Sequence, residues 1–179
     1  VTAGSADRPV AGGGGHDPSP PGIPPLLVLG LGNLLLHDDG LGLTLLRDLE
    51  SRAGRWGGKA EFVDGGTQGQ ALLGWLEGRR ALLILDAVAL GTPPGTVHVL
   101  KGDRVGECMP GGQMTAHGGN AGDLLRVAAL LGETPGTLAI VGIEPAVVKT
   151  GQGLSEAVTA ALPEAVERAA ELLDEFCQG

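Results

Sequence analysis

A chain of 179 residues with 42% hydrophobic but only 2% aromatic side chains is long enough to bury one core made of Leu, Val, Ile and Ala. Its net charge of −9 and pI near 4.8 exclude a nucleic-acid surface, which needs clustered Lys and Arg to neutralise phosphates. Cys108 and Cys177 are too few and too far apart for a disulfide framework or a Cys-x-x-Cys metal site, as expected of a protein in a reducing cytoplasm, and no apolar run reaches the roughly 18 residues a membrane span requires.

The opening stretch VTAGSADRPVAGGGGHDPSPPGIPP has neither a basic start nor an apolar segment and does not read as a secretory signal. Its Gly and Pro content predicts a flexible tail over residues 1–24, since such residues bury too little surface to offset their ordering entropy. Residues 25–179 are expected to form a single domain. The run LLVLGLG (Leu26 to Gly32) reads as a strand buried on both faces. After it, LGLTLLRDLE places Leu41, Leu45, Leu46 and Leu49 on one helical face and Arg47, Asp48 and Glu50 off it.

The β-then-α pattern repeats along the chain. AEFVDGGT is a strand running into a turn, and GQALLGWLEG an apolar-faced helix closed by Gly78. ALLILDAV is a fully apolar strand with Asp86 at its end, and GTVHVL a further strand carrying His98. A helix is expected from about Asn120 to Leu131, then a last strand, TLAIVGIEP, stopped by Pro145. From Ser155 two consecutive helical pieces are expected, the second opening at Pro163, with Val158, Leu162, Val166, Ala169, Leu173 and Phe176 as the buried stripe. Strands alternating with helices predict a three-layer α/β/α fold around a mostly parallel twisted sheet of about five strands.

In such a sheet, ligands bind outside the carboxyl ends of the strands, and the acids follow that rule. Asp38 and Asp39 come after the first strand, Asp64 ends the second and Asp86 the third, while His117 lies in a loop, MTAHGG, that opens at the same rim. Two carboxylates and an imidazole suit a divalent metal such as nickel or zinc, and equally suit acid–base work without one. Plainer roles compete: Asp38 or Asp39 as a helix cap, Asp64 as a turn-former before Gly65 and Gly66, His117 as an ordinary loop residue. Asp86 resists dismissal, because a carboxylate at the edge of a dry core is costly without a partner. His16 and His37 are expected to face solvent, and Cys108 has no base beside it to make it a nucleophile. GLGNLL starts like the dinucleotide fingerprint G-x-G-x-x-G, but Leu35 occupies the third glycine position.

Taken together and in order, LVLGLGNLLLHDDGLG, FVDGGTQG, LLILDAV, PPGTV, TAHGGNAGDLL and VGIEPAVVKTGQGLS resemble the hydrogenase maturation endopeptidases. The resemblance covers the chain from about Leu26 into the C-terminal helix. It implies removal of a C-terminal extension from the [NiFe]-hydrogenase large-subunit precursor once nickel is inserted. It also implies that Asp39, Asp86 and His117 contact that nickel, which the substrate carries, with zinc as another divalent ion the set accepts. Asp38 then shapes the loop, Asp64 supports it, and Gly40 and Gly42 allow close approach of substrate backbone. Relatives commonly carry Glu in place of Asp39 and read His-Gln-Leu-Gly where this chain has His117-Gly118-Gly119-Asn120, which implies a looser loop here. A non-catalytic nickel-sensing chaperone of the large subunit is the competing expectation. A monomer without membrane insertion is expected, with partner specificity in the Gly-rich segment from Gly102 to Ala116.

Overall fold

β1 (Leu26–Leu31) is buried along its whole length, as a strand does that has neighbours on both edges and helices on both faces. The computed structural model describes residues 22–108 and 121–179. The expected tail up to residue 21, with His16, lies outside them, as do His117 and residues 109–116 of the long loop.

Five strands form one sheet in the order β2-β1-β3-β5-β4, with β2 at Ala60–Gly66, β3 at Ala81–Ala87, β4 at Val97–Lys101 and β5 at Thr137–Ile143. β1 pairs in parallel with β2 and β3, β3 pairs in parallel with β5, and only the edge strand β4 runs antiparallel. Side chains alternate across the sheet. Leu26, Val28, Leu83, Leu85 and Val141 face α1 (Leu41–Glu50) and α4 (Glu156–Gln178). Leu27, Leu29, Leu82, Ile84 and Ile140 face the short α2 (Leu73–Leu76) and α3 (Ala121–Leu131). The expected three-layer α/β/α fold is what forms, and no helix among the described residues is long and apolar enough to cross a membrane.

Two expected helices come out differently. The segment from Gly69 forms a 3-10 turn (Gly69–Leu72) and then the single turn α2, burying only Gly69, Leu72 and Leu76. Two glycines, Gly69 and Gly74, lower helix propensity by about 1 kcal/mol each, and Trp75 is left 41% exposed, so little packing offsets that loss. At the other extreme, α4 is one helix of 23 residues that runs through Pro163. Pro163 sits on the exposed face, and Val158, Ala165, Val166, Ala169 and Leu173 bury a continuous stripe on either side of it. That packing outweighs the roughly 3 kcal/mol an interior proline costs.

The close seating of α1 on the sheet explains Gly42. A Cβ there would overlap the carbonyl oxygens of Leu31 and Leu85, so its missing side chain faces the interior, not a substrate. Gly40 likewise packs against Leu34. Gly42→Ala is expected to cost about 3 kcal/mol, the upper range for overpacking a rigid contact. Urea denaturation measures it; a loss under about 1 kcal/mol would show that α1 can lift off the strands freely.

Candidate active site

In an open α/β sheet the chain leaves a crevice where consecutive connections turn to opposite sides, beyond the carboxyl ends of the two strands concerned. Here those strands are β1, which leads to β2 on one side, and β3, whose connection crosses β5 to the edge strand β4 on the other. Asp39 follows β1 and Asp86 lies in the last two residues of β3. The two expected acids therefore meet at the crevice.

The β1–α1 loop holds Asp39 by backbone geometry. Gly32 has φ +121°, and a Cβ on it would overlap the Asp39 carbonyl oxygen, so only glycine lets the loop fold back this tightly. The Asn33 N–H donates to Asp39 Oδ2 at 2.8 Å, and Asn33 Oδ1 accepts from the Leu35 N–H at 2.9 Å. Asn33 thus sets the loop that aims the acid. Asp86 is 7% exposed, with Oδ1 accepting from the Ala87 N–H at 2.8 Å and Oδ2 from the Ala121 N–H at 3.3 Å. Burial pushes its pKa up to about 7, the two backbone donors oppose that rise, and the nearby Asp39 charge adds to it. An acid so placed is under-solvated and faces another acid, a pairing that favours a proton or a cation between them.

Asp38 shares no partner with Asp39 and is not a cap for the helix that follows: neither the 3-10 turn His37–Gly40 nor α1 has a side-chain cap. Its fully buried carboxylate instead accepts from the N–H groups of Ala146 and Val147, both at 2.9 Å, and of Ser155 at 2.6 Å. Burial alone would raise its pKa, yet these donors together hold it below the usual carboxylate range. Asp38 is therefore the anchor of the segment from Pro145 to Ser155, and Ser155 in turn caps α4 by accepting from the Val158 N–H. His37, expected in solvent, keeps a partly exposed side chain that also bonds the strap: its Nδ1 lies 2.9 Å from the Gly153 carbonyl oxygen and its ring lies against Gly151. Asp64 is exposed on the outer strand β2, opposite Gly30 in the register.

Glu144, one residue beyond β5, is the third buried acid at this rim. Among the described residues no three His, Cys, Asp or Glu side chains converge on one point; the third expected donor, His117, lies outside those residues. A separate surface cavity, lined by Pro24, Lys59, Arg80 and Cys177 among others, sits at the amino ends of the strands and contains none of the rim acids.

The family model for hydrogenase maturation proteases, HycI, matches residues 44–172. The chain belongs to the hydrogenase maturation protease family. As a member it is a peptidase, hence a hydrolase. This maturation protease is 34% identical over 151 residues to the hydrogenase 2 maturation protease of Escherichia coli K12, an alignment covering 84% of the present chain and 91% of that protein. It is 32% identical over 149 residues to the hydrogenase expression/formation protein HoxM of Cupriavidus necator, covering 83% and 73% of the two chains. Among solved structures, the hydrogenase maturating endopeptidase HybD from E. coli superposes with a TM-score of 0.73 at 31% identity, over 84% of this chain and 93% of that one. HybD from Thermococcus kodakarensis does so with a TM-score of 0.66 at 28% identity, over 83% and 98%.

Two residues of this maturation protease escape the sequence reading, Asn33 and Glu144. Both carry a signal that could have found them. Asn33 follows Gly32 in a tight turn, where an amide side chain commonly bonds the backbone two residues on. Glu144 closes the apolar run of β5 as Asp86 closes that of β3, and the cost of a buried acid applies to both.

Proposed function

We propose that this maturation protease removes the C-terminal extension of a [NiFe]-hydrogenase large-subunit precursor, recognising the nickel that the precursor already carries. The observation that carries this reading is the pairing of half-buried Asp39 with buried Asp86 at the crevice, where two neighbouring acids favour a shared proton or cation. Asp39, Asp86 and His117 are assigned as the donors that grip the substrate's nickel from the protease side. Oxygen and imidazole donors suit nickel, and zinc is the second ion the same set accepts.

Held in this way, the scissile bond of the precursor is fixed beside the rim, so orientation supplies a large part of the rate. A water molecule attacks the carbonyl carbon, a rim carboxylate takes its proton, the C–N bond breaks, and the proton passes to the departing amine. No serine or cysteine nucleophile is required. Asn33 keeps Asp39 in its rotamer through the 2.8 Å backbone bond, and the Ala87 and Ala121 N–H groups fix Asp86.

Intact mass spectrometry of nickel-loaded and nickel-free precursor tests the reading. Wild-type protein is expected to shorten the loaded form alone, and Asp39→Ala, Asp86→Ala and His117→Ala to leave its mass unchanged. Equal cleavage of both forms would remove nickel from the reading. A stable complex with unchanged mass would replace it by a nickel-sensing chaperone.

A further inference from the structure

Among the described residues the buried acids are three, Asp38, Asp86 and Glu144, and all three stand at the carboxyl rim of the sheet. Asp86 faces Asp39, and Asp38 anchors the strap from Pro145 to Ser155. Glu144 has no part in either task. Its Oε2 accepts from the Leu90 N–H at 2.9 Å and from the Thr92 hydroxyl at 2.9 Å, and its Oε1 accepts from the Gly91 N–H at 3.1 Å. His98 Nε2, reaching across from β4, lies 3.2 Å from Oε2 and 3.0 Å from Thr92 Oγ1. Burial by itself would raise the pKa of Glu144, but these donors outweigh it and keep the acid below its ordinary range. Glu144 is thus a buried acid held by four partners, the Leu90 and Gly91 N–H groups, the Thr92 hydroxyl and His98.

What Glu144 grips is the β3–β4 connection, the continuation of the strand that delivers Asp86. Two further bonds close that connection on the same residue: the Gly95 N–H donates to the Glu144 carbonyl, and the Glu144 N–H donates to the Thr96 carbonyl, both at 2.9 Å. Ala89 and Gly91 remain exposed, and this bonded stretch leaves the sheet directly after Asp86 and Ala87, the end of β3 that borders the crevice. The strap held by Asp38 begins next to the same residue, since only Pro145 separates Glu144 from the Ala146 and Val147 N–H groups that Asp38 binds.

We propose that Glu144, supported by His98 and Thr92, is a positioning residue that holds residues 89–92 as a rigid wall for the polypeptide substrate entering the crevice. It acts on substrate binding through the loop and does not touch the reacting atoms. The inference rests on the proposed precursor substrate.

The test compares wild type with Glu144→Gln and Thr92→Val on nickel-loaded precursor, reading KM, kcat, precursor affinity by calorimetry, and hydrogen exchange at the Leu90 and Gly91 amides. Glu144→Gln is expected to raise KM about tenfold with kcat within about twofold, since binding and chemistry are separable in this way, and to speed exchange at both amides. Thr92→Val, which removes one hydroxyl at constant shape, is expected to shift the same quantities in the same direction by less, and it decides the matter if Glu144→Gln does not fold. A fall in kcat at constant KM, or faster exchange with unchanged affinity and KM, overturns the inference. Wild-type protein that neither binds nor cuts the precursor overturns the proposed function itself, a result distinguishable from either of these.

Discussion

Asp86→Asn is expected to make the metal-free protein more stable above neutral pH while, on its proposed role as a donor to the substrate's nickel, reducing precursor cleavage by about a thousand-fold, equivalent to about 4 kcal/mol. The stability half follows from the titration of Asp86. Burial lifts its pKa to about 7, the Ala121 and Ala87 N–H groups moderate the rise, and Asp39 adds to it. The unfolded chain returns the group to 3.8, so between these values the folded protein binds the proton more tightly than the unfolded one. This contribution is fully present below about pH 4 and is lost as pH rises through about 7. Asparagine stays neutral throughout. Its single acceptor oxygen serves only one of the two N–H groups, which leaves a net gain of about 2 kcal/mol at pH 8 and little or none at pH 5. Urea denaturation of both proteins at the two pH values measures the difference. A stability difference independent of pH would mean that Asp86 is not the strained acid described above.

Asp38→Ala carries the second large effect, in the opposite sense. Three backbone N–H groups, of Ala146, Val147 and Ser155, lose their acceptor at a fully buried position. At roughly 1–3 kcal/mol for each unsatisfied donor, tempered by relaxation of the strap, the loss is expected to be about 4 kcal/mol. Because the donors outweigh burial and depress the pKa of Asp38, the wild-type advantage is present above about pH 4 and disappears as pH falls through the folded value. The alanine variant is flat over that range. Limited proteolysis between residues 145 and 155 reads the release of the strap, and chemical denaturation reads the energy. A loss under about 1 kcal/mol with an uncut strap would show that β5 and α4 position the segment without Asp38.

The adjacent acids Asp38 and Asp39 show how much of the site was legible in the sequence. That acids gather at one rim follows from strand order and from the rule for open α/β sheets, and the motif set carried the family. The division of labour between the two acids was not legible. Asp38 bonds residues 108 to 117 positions away, and no local pattern encodes so distant a partner. Gly42 was hidden for the same reason, since its neighbours, the Leu31 and Leu85 carbonyls, come from two different strands.

By itself, the sequence determined what short-range physics controls: the apolar runs of β1, β3 and β5, the leucine face of α1, the alternation that yields three layers, and the placement of acids at strand ends. Only the tertiary structure decided that α4 continues through Pro163, that the segment from Gly69 forms little more than one helical turn, that Asp38 ties a strap and that Glu144 ties the β3–β4 connection. The reason lies in what each feature depends on. A strand or helix stripe is favoured by neighbours within a turn or two, whereas a tolerated proline, a truncated helix and a buried carboxylate are settled by how much area and how many donors distant segments bring to them.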